Sequence, residues 1–121
     1  RQRRHNFDYY VQQLSGIHGI SFLQEPPGFF SNRWLTAILI DSAKTNGITR
    51  EQVRLALEAE NIESRPLWKP MHMQPVFAET LFYGDGTAER LFENGLCLPS
   101  GSNLTITDLD RVIQIIKTIR H

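Results

Sequence analysis

The sequence predicts a small α/β (α+β) domain of two layers, a three- to four-stranded, mainly antiparallel sheet covered by helices. Three observations carry that expectation. Short apolar runs of strand composition alternate with amphipathic helical stretches along the 121 residues. Internal repeats and low-complexity tracts are absent. The length suits one modest core, so a single domain spanning residues 1–121 is expected.

Each element has a local reason. In residues 3–15, Phe7, Tyr10, Val11 and Leu14 recur at i, i+3, i+4 and i+7, one face of a helix, and Ser15-Gly16 stops it. Ile17 to Leu23 can form a short strand interrupted by Gly19, and Glu25-Pro26-Pro27-Gly28 is a turn or extended loop. Arg33 to Asp41 is the best strand, apolar on both faces as a covered central strand would be. Thr49-x-x-Gln52 is a capping box that opens a helix with Val53, Ala56 and Leu57 on its apolar side, and Asn61 ends it.

Ile62 to Arg65 reads as a further short strand. Val76 to Tyr83 and Thr87 to Glu93 read as two short helices separated by Gly84-Asp85-Gly86. Leu96-Cys97-Leu98 is a strand stopped by Pro99, and Ser100 to Asn103 turns the chain. Thr105 then caps the clearest helix, whose apolar face is Leu109, Val112, Ile113, Ile116 and Ile119.

Composition excludes several classes. Thirteen basic and 13 acidic side chains cancel, so nothing draws the chain toward nucleic acid or an anionic membrane. The local excess at Arg1, Arg3, Arg4 and His5 reads as a frayed, solvated terminus. No apolar run approaches the ~20 residues of a membrane span. Cys97 is alone, which rules out an intrachain disulfide and points to a reducing cytoplasm. The chain opens without Met, in helix-like sequence, as a fragment or a processed product would.

No catalytic pattern is present: there is no G-x-S-x-G, Walker loop or H-E-x-x-H. His5, His18, His72 and His121 share no metal-ligand spacing. In Met71-His72-Met73, extended alternation would turn both Met side chains to one face for packing and display His72 on the other. Cys97, between two leucines, reads as a buried small hydrophobe, and Lys44, Lys69 and Lys117 as solvent-facing. The distinctive stretch is Ser64-Arg65-Pro66-Leu67-Trp68-Lys69-Pro70-Met71-His72-Met73-Gln74-Pro75. Its prolines forbid a helix, while Arg65, Trp68, His72 and Gln74 can grip anions, stack on rings and exchange protons. Two readings stand side by side: one wall of a ligand site, or a core edge in which Trp68 plugs the interior and Arg65 pairs with a surface carboxylate.

Three separated motifs decide between them. Pro26-Pro27-Gly28-Phe29-Phe30-Ser31-Asn32-Arg33-Trp34-Leu35, then Ile62 through Phe77 with its R-P-L-W-K-P-M-H-M-Q-P core, then Gly95-Leu96-Cys97-Leu98-Pro99-Ser100-Gly101-Ser102-Asn103-Leu104-Thr105, occur in this order in one family. They resemble the C-terminal domain of the DegT/DnrJ/StrS pyridoxal-phosphate-dependent aminotransferases that act on nucleotide-linked sugars. Arg3 to Tyr10 is similar to the helix leading into that domain, and the details are closest to bacillosamine-type members that aminate a 4-keto sugar on UDP.

That resemblance implies the C-terminal small domain of a fold type I aminotransferase. A large N-terminal domain, missing here, would hold pyridoxal phosphate through its Schiff-base lysine, leaving this fragment inactive alone. The substrates would be a nucleotide sugar and glutamate, and the full-length enzyme a homodimer. Substrate-binding candidates are His72 first, then Arg65 and Trp68, then Asn32 and Trp34, with no catalytic, cofactor-binding or metal-binding residue in this chain. If the large domain covers the open half of the sheet, that half should be unusually apolar. The alternative is a freestanding, non-catalytic α/β ligand-binding or protein-interaction module.

Overall fold

The computed structural model describes residues 1–119, so His121 lies outside the described residues. The elements in chain order are α1 (Gln2–Leu14), β1 (Ile20–Phe22), β2 (Thr36–Ile40), α2 (Arg50–Ala59), β3 (Arg65–Pro66), α3 (Thr87–Asn94), β4 (Gly95–Leu98) and α4 (Ile106–Thr118). The four strands form one antiparallel sheet in the order β1-β2-β4-β3.

Register sorts the side chains onto two faces. Ile38 pairs with Leu96, Thr36 with Leu98 and Ile20 with Ile40. These residues point to the face covered by α1, α2 and α4, where Tyr10, Leu14, Val53, Leu57, Leu109, Val112, Ile113 and Ile116 complete one buried cluster. The intervening residues, Ala37, Leu39, Gly95 and Cys97, point the other way. On that side lie α3 and the proline-rich segment. A β-carbon on Gly95 would collide with the Leu67 side chain and the Leu91 carbonyl, so only glycine admits this approach.

Two capping boxes and one buried amide fix the helices. The Thr49 hydroxyl accepts from the Gln52 N–H at 3.2 Å, and the Gln52 carbonyl oxygen accepts from the Thr49 N–H at 2.8 Å. Thr105 and Asp108 repeat the arrangement on α4. Asn6, fully buried on α1, donates from Nδ2 to the Gly101 carbonyl at 2.9 Å and ties the first helix to the turn after β4.

Several expected boundaries move, each for a physical reason. The strand expected from Arg33 begins at Thr36, because Arg33 takes a left-handed φ of 51° and turns the chain. The strand expected over Ile17–Leu23 shrinks to Ile20–Phe22; Gly19, at φ 88°, lies too close to Thr45 and Asp41 for any side chain. The strand expected at Ile62–Arg65 pairs instead at Arg65–Pro66. The helix expected over Val76–Tyr83 is only a 3-10 turn at Pro75–Phe77: Val76, Leu81 and Tyr83 are exposed and have no core to pay for a helical nucleus. The proline segment, expected to exclude helix, holds a 3-10 turn at Met71–Met73 with Pro70 as its N-cap, where a missing N–H costs nothing. The two Met side chains therefore do not alternate with a displayed His72.

Leu96→Ala should lower stability by about 2–5 kcal/mol, because Leu96 is fully buried at the centre of the cluster. Thr105→Ala should cost only about 1 kcal/mol, the value of one cap. Urea denaturation of the chain measures both, and near-equal losses would contradict the packing described.

Candidate functional site

A cleft lies beside the β3 edge, with the outward Cys97 of β4 in its wall. It holds about 510 Å³ and is lined by Trp34, Leu35, Ser64, Arg65, Leu67, Trp68, Phe92 and Cys97, among others. The Trp34 and Trp68 rings stand 6.1 Å apart, centroid to centroid, at 36°, and both are more than half exposed. Arg65 sits at the mouth with its guanidinium 2.6 Å from Glu63. Both side chains are highly exposed, so this pair holds Arg65 weakly. Deeper in, the Ser64 hydroxyl is buried without a hydrogen-bond partner among the described residues. Burial pushes the Cys97 thiol up, as a packing role requires.

Trp34 is held by contacts that local sequence reading does not reveal. Its N–H donates to Asn32 Oδ1 at 3.0 Å, an Asx turn that places Asn32 beside the cleft wall. Arg3 donates to the Trp34 carbonyl and, at 3.3 Å, to the Ser100 carbonyl. Arg4 grips Glu25 through two nitrogens at 3.0 Å each and also donates to the Ser31 carbonyl. The Ser31 N–H donates to the same carboxylate. Arg4, helped by the Ser31 N–H, lowers the Glu25 carboxyl to about 2. The expected frayed terminus is thus corrected: Arg3 and Arg4 lie on α1 and fasten the 24–34 loop. Arg33 adds to this by lying 3.7 Å over the Phe7 ring.

Of the five substrate-binding candidates, the fold gathers Trp34, Arg65 and Trp68 around one cleft, and Asn32 adjoins it through Trp34. Trp68 does not plug the core; it is 68% exposed. His72 is not among the residues lining that cleft. Its Nε2 is 2.6 Å from Glu89 Oε1, and its ring stacks on Phe82 with centroids 3.6 Å apart. Both lie at a hollow of about 390 Å³ shared with Pro70, Met71, Phe77 and Leu81.

Pyridoxal phosphate, the cofactor implied by the resemblance, finds no fitting lysine among the described residues. A Schiff-base lysine needs a desolvated setting that keeps its amine neutral. Lys44 pairs with Asp41 at 3.1 Å in solvent, Lys117 bonds Gln13 at 3.1 Å on the surface, and Lys69 is exposed. Among the described residues no helix is long and apolar enough to cross a membrane, and no group of three His, Cys, Asp or Glu could hold a metal.

Sheet order and helices together define a small two-layer α/β domain. The model of the DegT/DnrJ/EryC1/StrS aminotransferase family matches residues 1–117, and the chain belongs to that family. It is 41% identical over 124 residues to EpsN of Bacillus subtilis (strain 168), a candidate pyridoxal phosphate-dependent aminotransferase, covering 99% of this chain and 31% of EpsN. It is 45% identical over 65 residues to a GDP-perosamine synthase of Caulobacter vibrioides, covering 54% of this chain and 18% of that protein. The crystal structure of DesI in the presence of its TDP-sugar product superposes with a TM-score of 0.86 at 26% identity, over 96% of this chain and 30% of DesI. The chain spans less than a third of the length of these relatives.

The Arg4–Glu25 node makes a pH prediction. Glu25 titrates near 2 when folded and at its ordinary 4.5 when unfolded, so its contribution is complete above about 4.5 and is lost as pH falls through about 2. Glu25→Gln should therefore lower the urea midpoint at neutral pH, and its difference from the parent chain should shrink on acidification across that window. A difference independent of pH would refute the ionic anchoring of the loop.

Proposed function

We propose that this chain is the C-terminal small domain of a pyridoxal-phosphate-dependent aminotransferase that aminates a nucleotide-linked 4-keto sugar for cell-surface polysaccharide or glycan biosynthesis. The observation that carries it is the Trp34–Trp68–Arg65 cleft on the helix-poor face of a family-typical sheet. In this reading the large domain of the same protein holds the cofactor, which supplies the electron sink for transamination from glutamate. This chain supplies binding and orientation. Relatives named for GDP-perosamine synthesis and for a TDP-sugar product support a nucleotide sugar as the ligand class. The UDP-linked, bacillosamine-type substrate, the homodimer and the cytoplasmic setting rest on the sequence resemblance.

The chemistry of the cleft suits that ligand. Trp34 and Trp68 offer ring faces for a base or a sugar ring. Arg65 can exchange Glu63 for a diphosphate oxygen at small cost, because an exposed ion pair is worth about 0–1 kcal/mol. Asn32 holds Trp34 in place, and His72 orients the sugar nucleotide from the neighbouring hollow; proton abstraction is not its role.

In the full-length aminotransferase, Trp68→Ala and His72→Ala should each raise the KM for the nucleotide sugar about 10-fold, near 1.4 kcal/mol of binding. The half-reaction with glutamate should be unchanged. Unaltered sugar kinetics in both variants would overturn the substrate-wall reading.

A direct test concerns the chain by itself. Pyridoxal phosphate and glutamate added to the 121-residue polypeptide should give no Schiff-base absorption shift and no turnover. Robust transamination would favour an independent enzyme.

A further inference from the structure

The second hollow contains a built arrangement that the proposed substrate wall does not explain. His72 is held on two sides. Its Nε2 meets Glu89 Oε1 at 2.6 Å, and its ring lies nearly parallel to Phe82, at 16°. Both partners of this contact are largely shielded, with side-chain exposures of 18% and 28%. Glu89 Oε2 is buried with no partner among the described residues, while Oε1 meets His72. Gly86 caps α3 and Glu89 is its third residue, at the positive end of the helix dipole. Its own backbone N–H, and then His72, hold the carboxyl below the usual range.

Phe82 has its own provision. A β-carbon on Gly84 would collide with the Phe82 ring, although the backbone there lies outside the left-handed region. Glycine at 84 thus leaves the space in which Phe82 folds back over the imidazole. Gly84 and Glu89 lie on opposite sides of the turn into α3, so one short stretch of chain supplies both restraints on the ring.

We propose that Glu89 is a positioning residue for His72, with Phe82 as its backing plate. This rests on the reading that His72 meets the sugar nucleotide. A carboxylate accepting from Nε2 fixes the proton on that nitrogen and leaves Nδ1 as the ring atom available to a ligand. No described residue hydrogen-bonds Nδ1. When the ring is neutral, Nδ1 accepts from a sugar hydroxyl; when it is charged, Nδ1–H donates to a phosphate oxygen. Stacking on Phe82 sets the plane in which that bond points, so specificity comes from orientation as much as from charge.

Two measurements test this on two sides. The first is the histidine ring ¹⁵N spectrum of the chain at a pH where the ring is neutral. His72 should carry its proton on Nε2; Glu89→Ala should give a mixture of tautomers, and Gly84→Ala should keep the Nε2–H form. The second is kinetics of the full-length enzyme. Glu89→Ala should raise the nucleotide-sugar KM about 10-fold, the size of one lost hydrogen bond, leaving the glutamate half-reaction unchanged. Glu89→Gln, which retains an acceptor, should recover most of that loss, and Gly84→Ala should raise KM by a smaller factor. If His72→Ala raises KM but Glu89→Ala and Gly84→Ala do not, the positioning role is overturned while the substrate-wall reading stands. If Glu89→Ala scrambles the tautomer and His72→Ala leaves KM unchanged, the pair serves only the fold and the proposal fails together with the His72 part of that reading.

Discussion

The register of β2 against β4 is the constraint from which the rest follows. With Ile38 opposite Leu96 and Ala37 opposite Cys97, Thr36, Ile38, Ile40, Leu96 and Leu98 point to the three-helix face. Ala37, Leu39, Gly95 and Cys97 point outward. A one-residue slip would exchange the two sets, exposing Ile38 and Leu96 and driving Leu39 into the core. The outward Gly95 then admits Leu67, and this contact lets the chain after β3 run close across the sheet before it leaves as the proline segment. The Trp34–Trp68 cleft lies beside this crossing, with the outward Cys97 of β4 in its wall.

Much of this was legible from local rules. The period of Leu109, Val112, Ile113 and Ile116 places α4, and the Thr49–Gln52 box places the start of α2, because both signals act within one helical turn. Leu96-Cys97-Leu98 before Pro99 reads directly as a strand with a buried thiol. The failures are long-range or conformational. Arg4 and Glu25 lie 21 positions apart, and nothing in either neighbourhood announces a bidentate pair. Arg33 looks like the first residue of a strand by composition, yet its φ of 51° makes it a corner. The apolar Val76–Tyr83 stretch has helical composition but no partner face in this chain, so its amphipathy does not become a helix.

The candidate site shows the same division. Sequence placed Arg65, Trp68 and His72 on one stiff segment and treated them as one wall. The structure separates them, because the 3-10 turn at Met71–Met73 redirects the backbone after Pro70. Arg65 and Trp68 remain beside the sheet edge with Trp34, which arrives from the loop before β2. His72 turns instead toward α3. Prolines at 66, 70 and 75 thus keep the segment from continuing as a helix or a long strand, and Pro70 opens the 3-10 turn that sends its polar groups to two hollows.

Exposure of apolar surface bears on the choice between a domain of a larger enzyme and a freestanding module. Phe29, Phe30, Trp34, Trp68, Val76, Leu81 and Tyr83 are each more than half exposed, and all lie in the two loops outside the helix-covered core. Scattered apolar residues are ordinary on a protein surface, but large side chains concentrated in two loops are the usual mark of a covered surface. A module that binds its ligand alone would need a cleft closed on most sides, whereas the tryptophan cleft is open at the β3 edge. An open cleft flanked by apolar loops suits a site whose remaining wall is supplied by another domain, as the proposed function requires.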